Sequence, residues 1–120
     1  MRVKIDELDK LLSQYVRLKA NGICSKCLQY KGYKGLQVAH FIGRRYRSTR
    51  YDEANVCPLC FFCHQHFHEN PLEFVEWFRA RLGERDFSLL QARARQIGKP
   101  DKSAIELYFK EKISSLQKEI

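Results

Sequence analysis

Near the N-terminus the apolar positions fall three and four apart: Ile5, Leu8, Leu12, Tyr15 and Val16 share one helical face, with polar residues around the rest. Asp6 suits the N-cap and Asn21-Gly22 the end, so this pattern predicts a first helix over about residues 6–20. The period then breaks. "CSKCLQYKGYKG" sets turn formers in quick succession and reads as a knuckle followed by an irregular loop. "LQVAHF" alternates, which predicts a short strand ending near His40-Phe41. "IGRRYRSTRYDEAN" is a polar, basic loop, and "VCPL" is the returning strand, its pairing limited by Pro58. "CFFCHQHFH" then turns helical for about two turns.

"NPLEF" opens a third helix, with Asn70 as N-cap, Pro71 at the first helical position and Glu73 placed for a capping box. Leu72, Phe74, Val75, Trp77, Phe78 and Leu82 are its expected apolar face, and Gly83 closes it. A fourth helix is expected from about Asp86 to Ile97, ended by "GKP", and a fifth, capped by Asp101, carries Ile105, Tyr108, Phe109, Ile113 and Leu116 as one stripe. There is no internal repeat, and "GKPD" is too short to separate domains. A chain of 120 residues therefore suits one domain, small enough that a metal cross-link would add noticeably to its stability.

Composition changes the picture at two points. The net charge of +8, from 22 Lys and Arg against 14 Asp and Glu, favours a polyanionic partner, nucleic acid first, although a merely basic, soluble surface accounts for it too. No segment is apolar for the roughly 18 residues that a membrane span needs, and "MRVKIDELDK" lacks the apolar core of a secretion signal, so a cytoplasmic protein is expected.

All five Cys and all four His lie between Cys24 and His68. Cys24-x-x-Cys27 and Cys60-x-x-Cys63 each place two thiolates on a tight turn, and in a reducing compartment two such pairs make a four-sulfur structural zinc site rather than disulfides. Cys57 is left over, as a small buried hydrophobe beside the second pair or, less well, as an alternative ligand. His64 and His68, four apart on the predicted helix, project from one face and can grip a single ion, whereas His66 points away and reads as a solvated or packing residue. "RRYRSTR" interleaves Arg44, Arg45, Arg47 and Arg50 with Tyr46 and Tyr51, a composition suited to phosphates and exposed bases, or simply to a solvated loop. Arg79, Arg81, Arg85, Arg93 and Arg95 on the later helices are open to the same two readings.

His40, Asn55 and His64, set in "N-V-x-x-L-C-x-x-C-H", resemble the HNH motif of the ββα-metal nucleases, and the two Cys-x-x-Cys pairs resemble its zinc-stapled subgroup. The resemblance covers about residues 23–70. Within that superfamily, "VAHFIGRRYRSTRYDEANV" is similar to the phage recombination nucleases of the Rap/NinG type. It implies an α+β fold, a ββα-metal motif stapled by a four-cysteine zinc site with flanking helices. The single domain, 1–120, would divide into an N-terminal helix (1–22), the stapled core (23–70) and C-terminal helices (71–120). It implies a metal-dependent endonuclease that hydrolyses phosphodiester bonds in DNA, on branched phage recombination intermediates, in the cytoplasm of a bacterial host. His40 would be the general base, Asn55 would hold it in place, and His64 and His68 would bind the catalytic divalent ion, beside a structural Zn²⁺.

Many members of that family carry Asp or His just before the base as a third metal ligand, where this chain has Ala39. Water, substrate and Glu69 or Asp52 would complete the shell, and two imidazoles with few oxygens suit Mn²⁺, Ni²⁺ or Zn²⁺ better than Mg²⁺. Two other functions stay open: a non-catalytic zinc-knuckle DNA-binding protein, and a nonspecific or site-specific nickase. A homodimer through a terminal helix is also open.

Overall fold

The computed structural model describes residues 3–118. At its centre lies an antiparallel hairpin of β1 (Leu36–His40) and β2 (Val56–Cys60), with Leu36 opposite Cys60 and His40 opposite Val56. Phe41 N donates to Asn55 O at 2.9 Å just beyond the ladder. Hydrogen-bonded and non-bonded pairs alternate along antiparallel strands, so Pro58, opposite Val38, falls at a non-bonded pair and its missing N–H costs the hairpin nothing. Its carbonyl turns outward and accepts Ser25 N from the knuckle at 3.0 Å.

Every residue of β2 is buried because both faces of the hairpin are covered. On one face Ala39, Cys57 and Leu59 join Phe67, Phe78 and Leu90 of the helices that follow the hairpin. On the other, Val56 joins Leu12, Tyr15, Phe109 and Ile113 of the first and last helices. The fold is α+β, with five helices around the hairpin among the described residues: α1 (Glu7–Lys19), α2 (Phe61–Glu69), α3 (Pro71–Leu82), α4 (Glu84–Ala94) and α5 (Lys102–Lys118). No helix of the described residues is long and apolar enough to cross a membrane.

Helix α1 starts as its sequence predicts, and more tightly. Asp6 Oδ1 accepts Asp9 N at 2.9 Å and Asp9 Oδ2 accepts Asp6 N at 2.8 Å, a reciprocal capping box. Asn21 and Gly22 leave it with positive φ, and a Cβ at Gly22 would come within 2.7 Å of the Tyr30 ring.

The third helix departs from expectation at its cap. The Asn70 side chain makes no cap bond; it reaches back to His66 O at 2.8 Å, while Glu73 bonds the His66 ring at 2.7 Å instead of closing a capping box. Only part of its expected apolar face is used: Phe78 is fully buried and Phe74, Trp77 and Leu82 pack beside it, but Leu72 and Val75 point to solvent. The fourth helix begins directly after Gly83 and stops at Ala94, because Ile97 finds no apolar neighbour to bury it and the last predicted turn has nothing to hold it. Asp101 caps the fifth through Ala104 N, as expected.

Aromatic packing aims the elements that carry the histidines. Phe41, just past β1, stacks on Phe78 at 4.6 Å between ring centroids, and Phe67 of α2 stacks on Phe74 at 4.8 Å. Each buried ring contributes roughly 1.5–3 kcal/mol of apolar burial, enough to fix α2 against α3.

Candidate functional site

Cys24, Cys27, Cys60 and Cys63 converge, their sulfurs all within 4.8 Å of one another. Tetrahedral zinc with Zn–S bonds of about 2.3 Å sets its sulfurs about 3.8 Å apart, and Cys27 Sγ lies 4.0 Å from Cys60 Sγ, so the cluster fits that ion. Cys60 ends β2 and caps α2, and Cys63 sits in the first turn of α2, so the cluster ties knuckle, hairpin and helix together. Burial raises the Cys24 thiol, but N–H groups of Cys27, Cys60 and Lys26 aimed at its sulfur overcome that and bring it down to about 6. Burial, then the surrounding sulfurs, push Cys63 the other way. Four sulfurs this close ionise together only around a cation. Cys57 stays outside the cluster, fully buried, its thiol pushed up to about 12 by that burial.

His40, the last residue of β1, places Nε2 3.0 Å from the carbonyl oxygen of Arg50. A carbonyl only accepts, so Nε2 carries the proton and Nδ1 keeps its lone pair. Burial, and next the Arg44 charge acting against the Arg50 carbonyl, hold the ring below the usual histidine range. Asn55 works at one remove from this ring. It is fully buried and binds Ile42 and the Thr49 carbonyl, securing both ends of the loop that presents the Arg50 carbonyl.

His64 on α2 shows the same design. Its Nδ1 lies 2.5 Å from Gln37 Oε1 on β1; the amide oxygen accepts, which leaves Nε2 with the lone pair that a metal ion needs. Burial first, then the neighbouring His68 ring, lower its affinity for protons and favour the neutral form that binds metal. His68 follows one turn later and is exposed. Among the described residues, the four cysteines form the only cluster of three or more Cys, His, Asp or Glu that could ligate an ion. Ala39 points from β1 into the core beside Cys63 and Phe67. Asp52 caps the turn before β2 and pairs with Arg93 at 2.6 Å, and Glu69 accepts from Gln65, so both expected auxiliary carboxylates are engaged elsewhere.

His40 and His64 line one open cleft of about 650 Å³ together with Val38, Gly43 and Arg44. Its other wall is Ile5 and α1, the helix through Asp9, Lys10, Ser13 and Arg17. A groove of about 690 Å³ between α1, the knuckle and α3 is slightly larger, but no histidine lines it.

The arginines of the loop separate into two kinds. Arg44 lines the cleft, and Arg45 and Arg47 are exposed. Arg50, expected among the DNA contacts, instead turns its guanidinium inward onto Asp9, with Nη2 to Oδ2 at 2.6 Å and Nε to Oδ1 at 3.2 Å. On the later helices Arg79 pairs with Glu84 and Arg93 with Asp52.

Asp9 and Gln37 are the site residues that sequence reasoning missed. Gln37 had one available signal: it lies on β1 two residues before Ala39, and alternation puts both on the face toward α2. Asp9 had none beyond its place in a capping box. The chain matches no protein-family model, no curated protein and no solved structure.

Proposed function

We propose that the protein is a metal-dependent DNA endonuclease of the HNH type, cutting phosphodiester bonds in the cleft between α1 and the hairpin. The observation that carries this reading is the pair of oriented imidazoles lining one cleft, His40 held through Nε2 by the Arg50 carbonyl and His64 held through Nδ1 by Gln37. Each ring therefore offers its other nitrogen, one as a base and one as a ligand.

A divalent ion on His64 and His68 would supply the Lewis acid, stabilising charge on the phosphate and on the leaving 3′-oxygen. His40 Nδ1 takes the proton from a water as its oxygen bonds to phosphorus; the P–O3′ bond breaks in line, and the departing oxygen is protonated from solvent. Products carry 5′-phosphate and 3′-hydroxyl ends. Arg44 beside the cleft and Arg45 and Arg47 on the exposed loop bind flanking phosphates, with Tyr46 for base stacking. Zinc on the four cysteines fixes α2, and with it His64 and His68, relative to the hairpin. The preferred substrates are branched phage recombination intermediates, on resemblance.

A second reading, a DNA-binding zinc module without cleavage, is favoured by one observation: Ala39 offers no ligand and faces the core. The deciding experiment compares wild type with His40→Ala on end-labelled four-way junction and linear duplex, in Mn²⁺ and in Mg²⁺. Cutting by wild type that disappears in the variant is the expected result. Binding with no cutting in either metal would establish the second reading. Equal cutting of both DNAs would keep the chemistry and remove the preference for branched substrates.

A further inference from the structure

The geometry points to Asp9, on helix α1, as a positioning residue for His40: through its ion pair with Arg50 it holds the Arg50 carbonyl against Nε2, so that His40 keeps one tautomer and one orientation. This inference rests on the nuclease reading for its consequence in catalysis, but the positioning itself is a property of the free protein.

The Arg50 guanidinium is pinned by three hydrogen bonds: Nε and Nη2 both bond Asp9, and Nη2 also donates to Lys4 O at 2.8 Å. Both partners are withdrawn from water, with side-chain exposures of 13% for Arg50 and 5% for Asp9. A buried, two-pronged carboxylate pair resists rotation as an exposed lysine contact does not. The residues on either side are tethered as well. Asn55 Nδ2 donates to Thr49 O at 3.0 Å, and the Tyr51 hydroxyl donates to Asp6. Three consecutive residues, 49 to 51, are thus each anchored, and two of the anchors are Asp6 and Asp9.

Those two aspartates are also the reciprocal cap of α1. One carboxylate pair therefore starts the helix and fixes the segment that orients His40. A capping box needs only a polar side chain at the N-cap and at N3. It does not require the Asp9 carboxylate to lie buried against an arginine from a loop 41 positions away. That second engagement is what links the N-terminal helix to the ring.

A single substitution that leaves one charge buried without its partner would destabilise the fold for reasons unrelated to His40. The test therefore rests on the double variant Asp9→Asn/Arg50→Gln, which removes both charges; Asp9→Asn, which keeps an acceptor for Asp6 N but leaves Arg50 without its carboxylate, is measured beside it. The direct readout is the ¹⁵N chemical shifts of the His40 ring in zinc-loaded protein, assigned against His40→Ala. Wild type is expected to show Nε2 protonated and Nδ1 unprotonated, and both variants a mixture of the two tautomers. Single-turnover cleavage should then fall roughly ten- to a hundredfold with little change in the DNA concentration that half-saturates the protein, since a ring misplaced by an ångström loses rate and not binding.

A double variant that melts like wild type and keeps both the wild-type tautomer and the wild-type rate would overturn the assignment. If the wild-type protein cuts no DNA, the nuclease reading fails alone: a mixed tautomer in the variants would still establish that Asp9 positions the ring, and an unchanged one would refute it.

Discussion

The side-chain amide of Asn55 meets the backbone of Ile42 in both directions, Oδ1 accepting Ile42 N at 2.7 Å and Nδ2 donating to Ile42 O at 2.8 Å. It serves Ile42 as a neighbouring strand would, and Nδ2 has a second partner in the Thr49 carbonyl. With Asn55 fully buried, water cannot replace these bonds. Asn55→Ala strands three backbone groups and should cost about 2–4 kcal/mol, counting roughly 1 kcal/mol or more for each buried group left unpaired. Asn55→Asp keeps the acceptor but sets a negative charge against two carbonyl oxygens, so it should cost at least as much at neutral pH. Urea unfolding of the zinc-loaded variants measures both; a loss below about 1 kcal/mol would show that the loop is held mainly by its aromatic and salt-bridge anchors.

That bond pattern also marks how far the sequence could be read. That His40 and His64 meet on one cleft was legible because the hairpin, one loop and one short helix set them there, while Asn55 lies buried behind the loop and touches neither ring. Both Cys-x-x-Cys turns were legible for a similar reason, since each sets its own bite locally before the fold joins them. Asp9 was not. Its partner Arg50 is 41 positions away, and a charged residue in the first turn of a helix already has a local explanation in capping. Arg50 misled in the same manner: four arginines in seven residues read as one phosphate-binding set, yet burial against α1 removes one of them from solvent. The bounds of α3 were legible, but its full apolar face and the last turn of α4 failed where propensity met packing, because Leu72, Val75 and Ile97 have helical or apolar character but no neighbour to cover them.

Metal removal should separate the cysteines by role. Wild type is expected to carry one zinc per chain, measured by elemental analysis after exhaustive dialysis, and a strong chelator should unfold the knuckle, hairpin and α2 as a unit, since binding free energy here is folding free energy. Cys60→Ala should lose the zinc and melt in the same way. Cys57→Ala should retain one zinc, because that thiol lies outside the cluster and its burial opposes the thiolate form. Retention of a full equivalent by Cys60→Ala, or its loss from Cys57→Ala, would assign the wrong four sulfurs.

The half-buried His40 ring fixes the direction of a pH dependence. Its folded pKa lies below the ordinary value of 6.5, so between the two the native state binds fewer protons than the unfolded chain. The stability from this group is therefore fully present above 6.5 and is lost as pH falls through the folded value. Catalysis shares the sign, because only the neutral ring has a lone pair on Nδ1. Single-turnover cleavage should stay level down through pH 6.5 and then decline about tenfold per pH unit. An acid limb centred above 6.5 would mean that another group titrates, or that His40 is not the base.

Ala39 offers a gain-of-function test. On β1 it shares the face of Gln37, whose side chain already reaches His64, and it packs beside Cys63 in the first turn of α2. A carboxylate introduced here has one favourable outlet, an ion shared with His64. Without that ion, Ala39→Asp buries a charge in an apolar cluster and should lower stability by about 1–3 kcal/mol. With it, the added oxygen ligand should tighten Mn²⁺ binding about tenfold or more and bring Mg²⁺ into use, because hard oxygen donors suit Mg²⁺ where imidazoles do not. Calorimetric titration with each metal and melting with and without it measure the two effects on one protein. Destabilisation that neither metal relieves would place the ion away from this face of β1, and would leave the His64 side of the cleft to bind DNA without a metal.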